Sequence, residues 1–399
     1  MAFLRALLAH GEHFQTGALR RVFPADVADL GRAPPHCRPK LDRVIAETYD
    51  AGQIMFVQKS FGLTSMAKFT GHHVVWLTAW AGLVAVLYEY TQWEWITIPW
   101  LPLSVIGTAV AFYLGFKNNS AYDRLWEARK IWGAIVNSSR YWGAAVRGFV
   151  SNQFTAEDRT DEGLRSVQRE LIYRHISWLY ALRSQLLIPT EWEHVRQGSH
   201  LSAVTRKRMK EWGVGLFADD VTEREMRQLL PTAECDEVIQ YQNTATQLID
   251  RQAQDLKALR GEALIDDFRH MELQKILGEF YVFQGQCERI KKFPLPRQYA
   301  NTSFIFVCIF IFLLPLGLVG EFAQLGHNGV WLSIPFTVLV GWVYVMMELV
   351  GDYSENPFEG LGNDVPMLAI CRTIEIDLRE MLGEKDLPPA IEPKNGVLM

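Results

Sequence analysis

The sequence predicts an all-α integral membrane protein with four transmembrane helices and a large helical cytosolic domain. Three observations carry that prediction. Four stretches lack Asp, Glu, Lys and Arg for about the 20 residues that cross a bilayer. They fall as two hairpins with short connections. The long polar segment between the hairpins keeps helical periodicity and holds few prolines. Bulk composition alone does not decide the class, because 49% apolar and 21% charged residues lie near globular averages.

In chain order, Met1 to Phe14 carries Arg5 and Glu12 in an apolar stretch too short for a secretion signal, so a cytoplasmic N-terminus is expected. Residues 1–58 are expected to form a cytosolic extension, with a Pro- and Gly-rich linker from Phe23 to Lys40. A pre-membrane segment and two spans fill 59–116, the spans running from Phe69 to Tyr88 and from Trp95 to Phe116. The cytosolic domain takes 117–297. Two further spans fill 298–348, from Gln298 to Gly320 and from Val330 to Met347. A buried core helix of a soluble protein explains one such stretch but not four. Trp93, Trp95, Trp100 and Trp331 cluster near span ends, where amphipathic rings settle at a lipid–water interface.

Charge sets the orientation. The connections Glu89 to Glu94 and Glu321 to Gly329 hold acids but no Lys or Arg. The middle segment opens with Lys117, Arg124, Arg129 and Lys130 and closes with Lys291, Lys292 and Arg297. The positive-inside rule makes the short connections external and both termini cytoplasmic. A multi-pass protein of the plasma membrane, or of the inner membrane in a bacterial cell, is expected.

Within the middle segment, Ile172, His175, Leu179, Leu182 and Leu186 share one helical stripe, and Leu273, Leu277, Phe280, Gln284 and Cys287 share another. Both read as core or subunit contacts. Residues 349–399 read as a turn-rich loop from Asp352 to Asp364, an amphipathic helix and a loose proline-bearing tail from Leu387. The helix stripe is Met367, Cys371, Ile374, Leu378 and Leu382, with Gly383 as its stop. No internal repeat is visible.

The second span carries the most informative pattern. Gly107, Ala111 and Gly115 recur every four residues, a face that lets helices approach closely. One residue on, about 100° around the helix, lie Thr108, Phe112 and Phe116. In a symmetric ring of subunits that row would surround an axis as a hydrophobic constriction, which gates by wetting and drying. The bland reading of the same row is ordinary lipid or helix packing.

Other chemistry is thinly supported. Net charge is −5 and no long basic run occurs, which argues against nucleic acid as a partner. Cys37, Cys235, Cys287, Cys308 and Cys371 are scattered without metal spacing and read as free thiols. No nucleophile elbow, phosphate loop or dinucleotide fingerprint stands in a suitable context, so neither catalysis nor a cofactor is expected. His72 and His73 are adjacent, and neighbouring side chains diverge on a helix, so a membrane-interface position outweighs a metal pair. His175 and His270 are lone histidines and read as structural.

Three runs carry a family resemblance. The run FYLGFKNNSAYDRLWEARKIWGAIVNSSR, Phe112 to Arg140, is similar to the end of the second membrane helix and its cytoplasmic continuation in the bestrophin family, most closely its prokaryotic members. QCERIKKFPLPRQYA, Gln286 to Ala300, resembles the approach to the third membrane helix. ENPFEGLGNDVPMLAICRTIEIDLREMLG, Glu355 to Gly383, resembles the region after the fourth. The segment before about Lys59 departs from the family.

The resemblance implies a homopentamer around one central pore in a lipid bilayer, passing small inorganic ions. Thr108, Phe112 and Phe116 stand at the family's neck positions, and counting back from Leu295-Pro296 places Phe268 at its cytosolic aperture. Eukaryotic members bind calcium after the fourth span through an unbroken run of acids. Here Asn356 and Asp364 match that region, but Leu361, Gly362 and Asn363 interrupt the acids. A hard cation needs several oxygen ligands, so helix capping and solvated loop charge are the expected roles of Asp352, Glu355 and Asp364. Glu348, at the inner end of the fourth span, reads as a paired structural acid.

Three function classes follow. The first is a passive ion channel of the bestrophin type, conducting chloride or other small anions through a hydrophobic neck, or monovalent cations through the same fold. The second is a secondary transporter, with Pro315 as the candidate helix break. The third is a membrane-anchored scaffold.

Overall fold

The computed structural model describes residues 63–91, 93–156, 158–194, 196, 221–326, 328–393 and 398. The N-terminal extension, its linker and Cys37 lie outside the described residues. Every regular element described is helical. In order these are α1 (Leu63–Thr91), α2 (Trp100–Phe149), α3 (Asp161–Leu187), α4 (Val221–Leu229), α5 (Thr232–Val238), α6 (Thr244–Gly261), α7 (Asp267–Lys292), α8 (Arg297–Ala323), α9 (Gly329–Asp352) and α10 (Met367–Met381).

Four of them, α1, α2, α8 and α9, are long and apolar enough to cross a membrane. The second span starts later than its composition suggests. Glu94–Ile96 form a 3-10 turn, and α2 begins at Trp100 behind Pro99. A residue before proline is pushed out of the helical region, which keeps Ile98 extended. Its amide instead donates to Leu316 O at 3.1 Å. From there α2 runs for 50 residues, about 75 Å at the helical rise and far beyond the bilayer core. Its one proline, Pro102, falls in the first turn, where no intrahelical amide bond is lost, so one rod joins the apolar half to the polar half.

Pro315 lies inside α8 and Pro335 inside α9, and neither helix is interrupted. The expected break at Pro315 does not occur. The loss of one amide donor is tolerable where neighbouring helices pack round the site, and Pro315 is buried in α8. The α8–α9 turn uses Gly326 at φ +104°, a conformation glycine adopts without a Cβ penalty.

Outside the membrane the core is aromatic. Trp132 and Trp142 of α2, Trp178 and Tyr180 of α3 and Phe280 of α7 are all buried in one cluster. The stripes expected on α3, α7 and α10 line it, Leu179, Leu277, Cys371 and Leu378 among them. Thr160 caps α3 by accepting from Gly163 N at 3.1 Å, and Asp266 caps α7 by accepting from Arg269 N at 2.9 Å. Arg269 also donates to Phe149 O at 3.0 Å, which fixes the start of α7 to the end of α2. Cys235, Cys287 and Cys371 are buried free thiols, and Cys308 is exposed on α8.

Candidate pore-lining site

The buried face of α2 is Leu103, Gly107, Val110, Leu114, Lys117 and Ala121. Alternating steps of four and three hold a straight line along a helix, whereas repeated steps of four drift by about 40° each. That drift corrects the expected Gly107–Ala111–Gly115 packing face. Gly107 is buried, and a Cβ there would sit 2.7 Å from Phe310 Cε2. Tyr344 Oη donates to Gly107 O at 2.9 Å. Ala111 is half-buried, and Gly115 is exposed with open space round it.

Thr108, Phe112 and Phe116 lie on the opposite, open side of α2. Thr108 Oγ1 donates to Ser104 O at 2.9 Å, so its hydroxyl is satisfied within the helix. Phe112 is 69% exposed and Phe116 51%. Their rings meet edge to face with centroids 4.7 Å apart. Two phenyl rings thus form one apolar surface at membrane depth. Phe268, in the first turn of α7, is 83% exposed and lies far along the chain from that row.

Lys117 follows Phe116 directly, yet it is buried rather than facing the cytosol as its place in the sequence suggests. Its ammonium is paired with Glu348 of α9, and Ser303 Oγ of α8 donates to the other carboxylate oxygen at 2.5 Å. Next to it, Asn118 Nδ2 donates to Met347 O at 2.9 Å. The expectation that Glu348 is a paired acid matches this geometry.

The loop after α9 departs most from expectation. Glu355 and Asp364 are buried and Asp352 is half-buried against His194, so neither solvated charge nor helix capping describes them, and Asn356 and Glu359 are buried beside them. The reason is a second set of partners from the segment after α3. His194 Nδ1 lies 2.8 Å from Glu359 and Nε2 lies 3.0 Å from Asp352, with Tyr353 stacked on the ring. Burial opposes charge on that imidazole, but hydrogen bonds to Asp352 and Glu359 outweigh it and raise the pKa well above 6.5. Lys291 of α7 pairs with the buried Glu193. Asp364 accepts from Leu361 N at 2.9 Å. Burial and the neighbouring Glu359 raise its pKa well above the ordinary value, which disfavours the ionised ligand a hard cation needs. Among the described residues no group of three His, Cys, Asp or Glu is arranged to hold a metal.

The other histidines divide. His175 is buried, with Nε2 2.9 Å from Ser139 Oγ, and burial lowers its pKa to about 3. His72 and His73 do not point apart as expected, since their ring centroids are 3.8 Å apart. Diverging Cβ vectors still let two planar rings lean together, and His73 Nδ1 accepts from Trp76 Nε1 at 3.1 Å. His270 is half-buried in α7.

A family model described as "Bacterial/Fungal Bestrophin protein" matches residues 64–380. The chain belongs to the bestrophin family. Curated relatives of this bestrophin include a voltage-dependent anion channel-forming protein of Mesorhizobium japonicum, 27% identical over 73% of this chain and 77% of that one. Another is the voltage-dependent anion channel-forming protein YneE of Escherichia coli K12, 26% identical over 73% of this chain and 80% of that one. Among solved structures, a bacterial bestrophin homologue from Klebsiella pneumoniae superposes with a TM-score of 0.62. It shares 20% identity and covers 78% of this chain and 98% of that one.

The sequence marks Glu348 of this bestrophin as a paired acid but names neither its partner nor His194. Lys117, just beyond the second apolar span, was a usable signal for the partner, because neither charge is tolerable alone at that depth. His194 carried none, since a lone histidine in a polar segment has no periodicity to mark its partners.

Proposed function

We propose that the protein is a passive ion channel in which five copies surround a central pore and conduct small anions such as chloride. The observation that carries this reading is the exposed Phe112–Phe116 surface on a helix whose other face is fully packed. Large apolar side chains left open on one protomer, directly above a buried ion pair, suit a neck closed by symmetry copies. Thr108, Phe112 and Phe116 then form the neck, and Phe268 narrows the cytosolic exit. The positive edges of phenyl rings favour anions in a dry constriction. The named anion channel-forming relatives support the same ion class.

A plasma-membrane location with both termini cytoplasmic follows from the charge asymmetry of the connections. Continuity of α8 through Pro315 and of α9 through Pro335 weighs against a transporter built on broken helices. A monovalent-cation channel of the same fold is the second reading, favoured by acids beside the proposed exit, where Asp266 and Asp267 precede Phe268.

The test is the reversal potential of purified protein in planar bilayers across a KCl gradient. Reversal near the chloride equilibrium potential is the expected result. Reversal near the potassium potential replaces the anion reading with the cation one. Absence of current from a verified pentamer removes both.

A further inference from the structure

α2 continues past the neck as one unbroken helix, so side chains beyond Phe116 keep a calculable direction. At about 100° per residue, Asn119 and Asp123 lie within about 20° of Phe112, on either side, and Lys130 lies in line with it. All three are exposed. The other charges in this stretch are turned away or neutralised, and Arg129, half-buried, lies about 100° round the helix from Phe112. Lys117 is buried against Glu348. Arg124 donates to three backbone carbonyls, of Glu355, Phe293 and Ile290. Glu127 pairs with Arg289 at 2.5 Å. Among the described residues Asp123 has no cation at ion-pair distance. Its carboxylate accepts only from Asn119 Nδ2, at 3.3 Å, one helical turn nearer the neck. That bond orients the acid without cancelling its charge.

We propose that Asp123 is a specificity-determining residue, one acid per subunit forming a ring just inside the neck that raises cation permeability relative to anion permeability. This rests on the channel reading above. Distance decides which charge on the neck-bearing face governs. Seven residues separate Phe116 from Asp123 in the sequence, about 10 Å along the axis. That is a little over one Debye length, which is about 8 Å at physiological salt. Lys130 lies about 21 Å from Phe116, more than two and a half Debye lengths, so salt screens it from an ion at the neck far more than it screens Asp123. Fivefold repetition concentrates the acid on the axis, where a low-dielectric wall focuses its field. The ring therefore opposes the anion preference of the phenyl edges and makes the inner mouth the less anion-selective part of the path.

The test is Asp123→Asn in planar bilayers, read as reversal potential across a KCl gradient at low and at high ionic strength. Asp123→Glu serves as the conservative control and Asp123→Ser as a second neutral variant in case the amide fails to fold. The neutral variants are expected to raise chloride permeability relative to potassium by about threefold, more at low salt. Asp123→Glu keeps the wild-type ratio, and Lys130→Gln moves the ratio the other way by less. Neutral variants that conduct with an unchanged reversal potential overturn the proposal while the channel stands. A folded wild-type pentamer that carries no current overturns the channel reading itself, and the proposal with it.

Discussion

Lys117 and Glu348 form a buried ion pair that joins the helix carrying the phenyl row to α9, with Ser303 tying in α8. The pair sits one residue from Phe116, so it fixes both the depth and the rotation of α2 where its open face matters most. Two charges drawn from water cost several kcal/mol each, and only mutual attraction with added hydrogen bonds offsets this. Here the lysine is matched by one carboxylate oxygen and the serine by the other, so neither oxygen is orphaned.

Lys117→Met is therefore expected to cost about 3–5 kcal/mol, because Glu348 is left buried and uncompensated. The double substitution Lys117→Met with Glu348→Leu is expected to recover most of that loss, since apolar replacement of a whole buried pair is often neutral. Thermal unfolding in detergent of the two single variants and the double variant reads the coupling. Additive losses would show that the two groups do not interact.

The phenyl row makes a different prediction, for conduction rather than stability. Phe112→Ala and Phe116→Ala remove exposed rings that pack on each other, so little folding energy is at stake. A hydrophobic neck widened in this way wets more readily. Macroscopic current is expected to rise about threefold or more, with unfolding midpoints close to wild type. Unchanged current together with a large loss of stability would mark the rings as packing groups.

The four spans were legible because a bilayer demands about 20 uncharged residues in a row, and that demand leaves its mark on composition. The stripes on α3, α7 and α10 were legible for a similar reason, since one core takes every third or fourth residue. Tertiary matching was not. Whether Gly107, Ala111 and Gly115 face a neighbour depends on the line α8 and α9 take across α2, which no local pattern encodes. The pairing of Asp352 and of the buried Glu359 depends on His194, which lies 158 and 165 residues from them in the chain. The Phe row was visible as a row, but only packing of the opposite face gave it a direction.

That packing can be tested by adding single methyl groups. Gly107→Ala places a Cβ 2.7 Å from Phe310 Cε2 and 3.0 Å from its Cζ, and a rigid ring beneath Tyr344 cannot swing aside cheaply. A cost of about 1–3 kcal/mol is expected. Gly115→Ala meets nothing within 4 Å in the protomer and gains about 0.5–1 kcal/mol of helix propensity. Unfolding of the two variants in parallel checks the ranking. Equal effects would mean that Gly107 does not carry the close approach of α2 to α8.

The loop after α9 predicts a pH dependence whose sign can be worked out. The raised pKa of His194 means that its contribution is fully present below 6.5 and fades as pH climbs through the higher folded-state value. Burial also raises Glu193, Glu355 and Asp364, so the folded protein keeps protons that the unfolded chain releases, and their contributions fall as pH rises too. All four act in one direction, and the loop is most stable in mild acid. Hydrogen exchange of the 352–366 backbone is expected to quicken, after correction for intrinsic rates, from about pH 4.5 upward as the carboxyl contributions fade, and further above 6.5 as that of His194 fades. His194→Gln leaves Glu359 buried without a cation, and at pH 6 it is expected to cost about 3–5 kcal/mol. Above pH 6.5 the gap between the two is expected to narrow, and it closes only once pH passes the higher folded-state value of His194, where the wild type also loses the charge. Parallel pH curves for the two proteins would remove His194 as the source of the dependence.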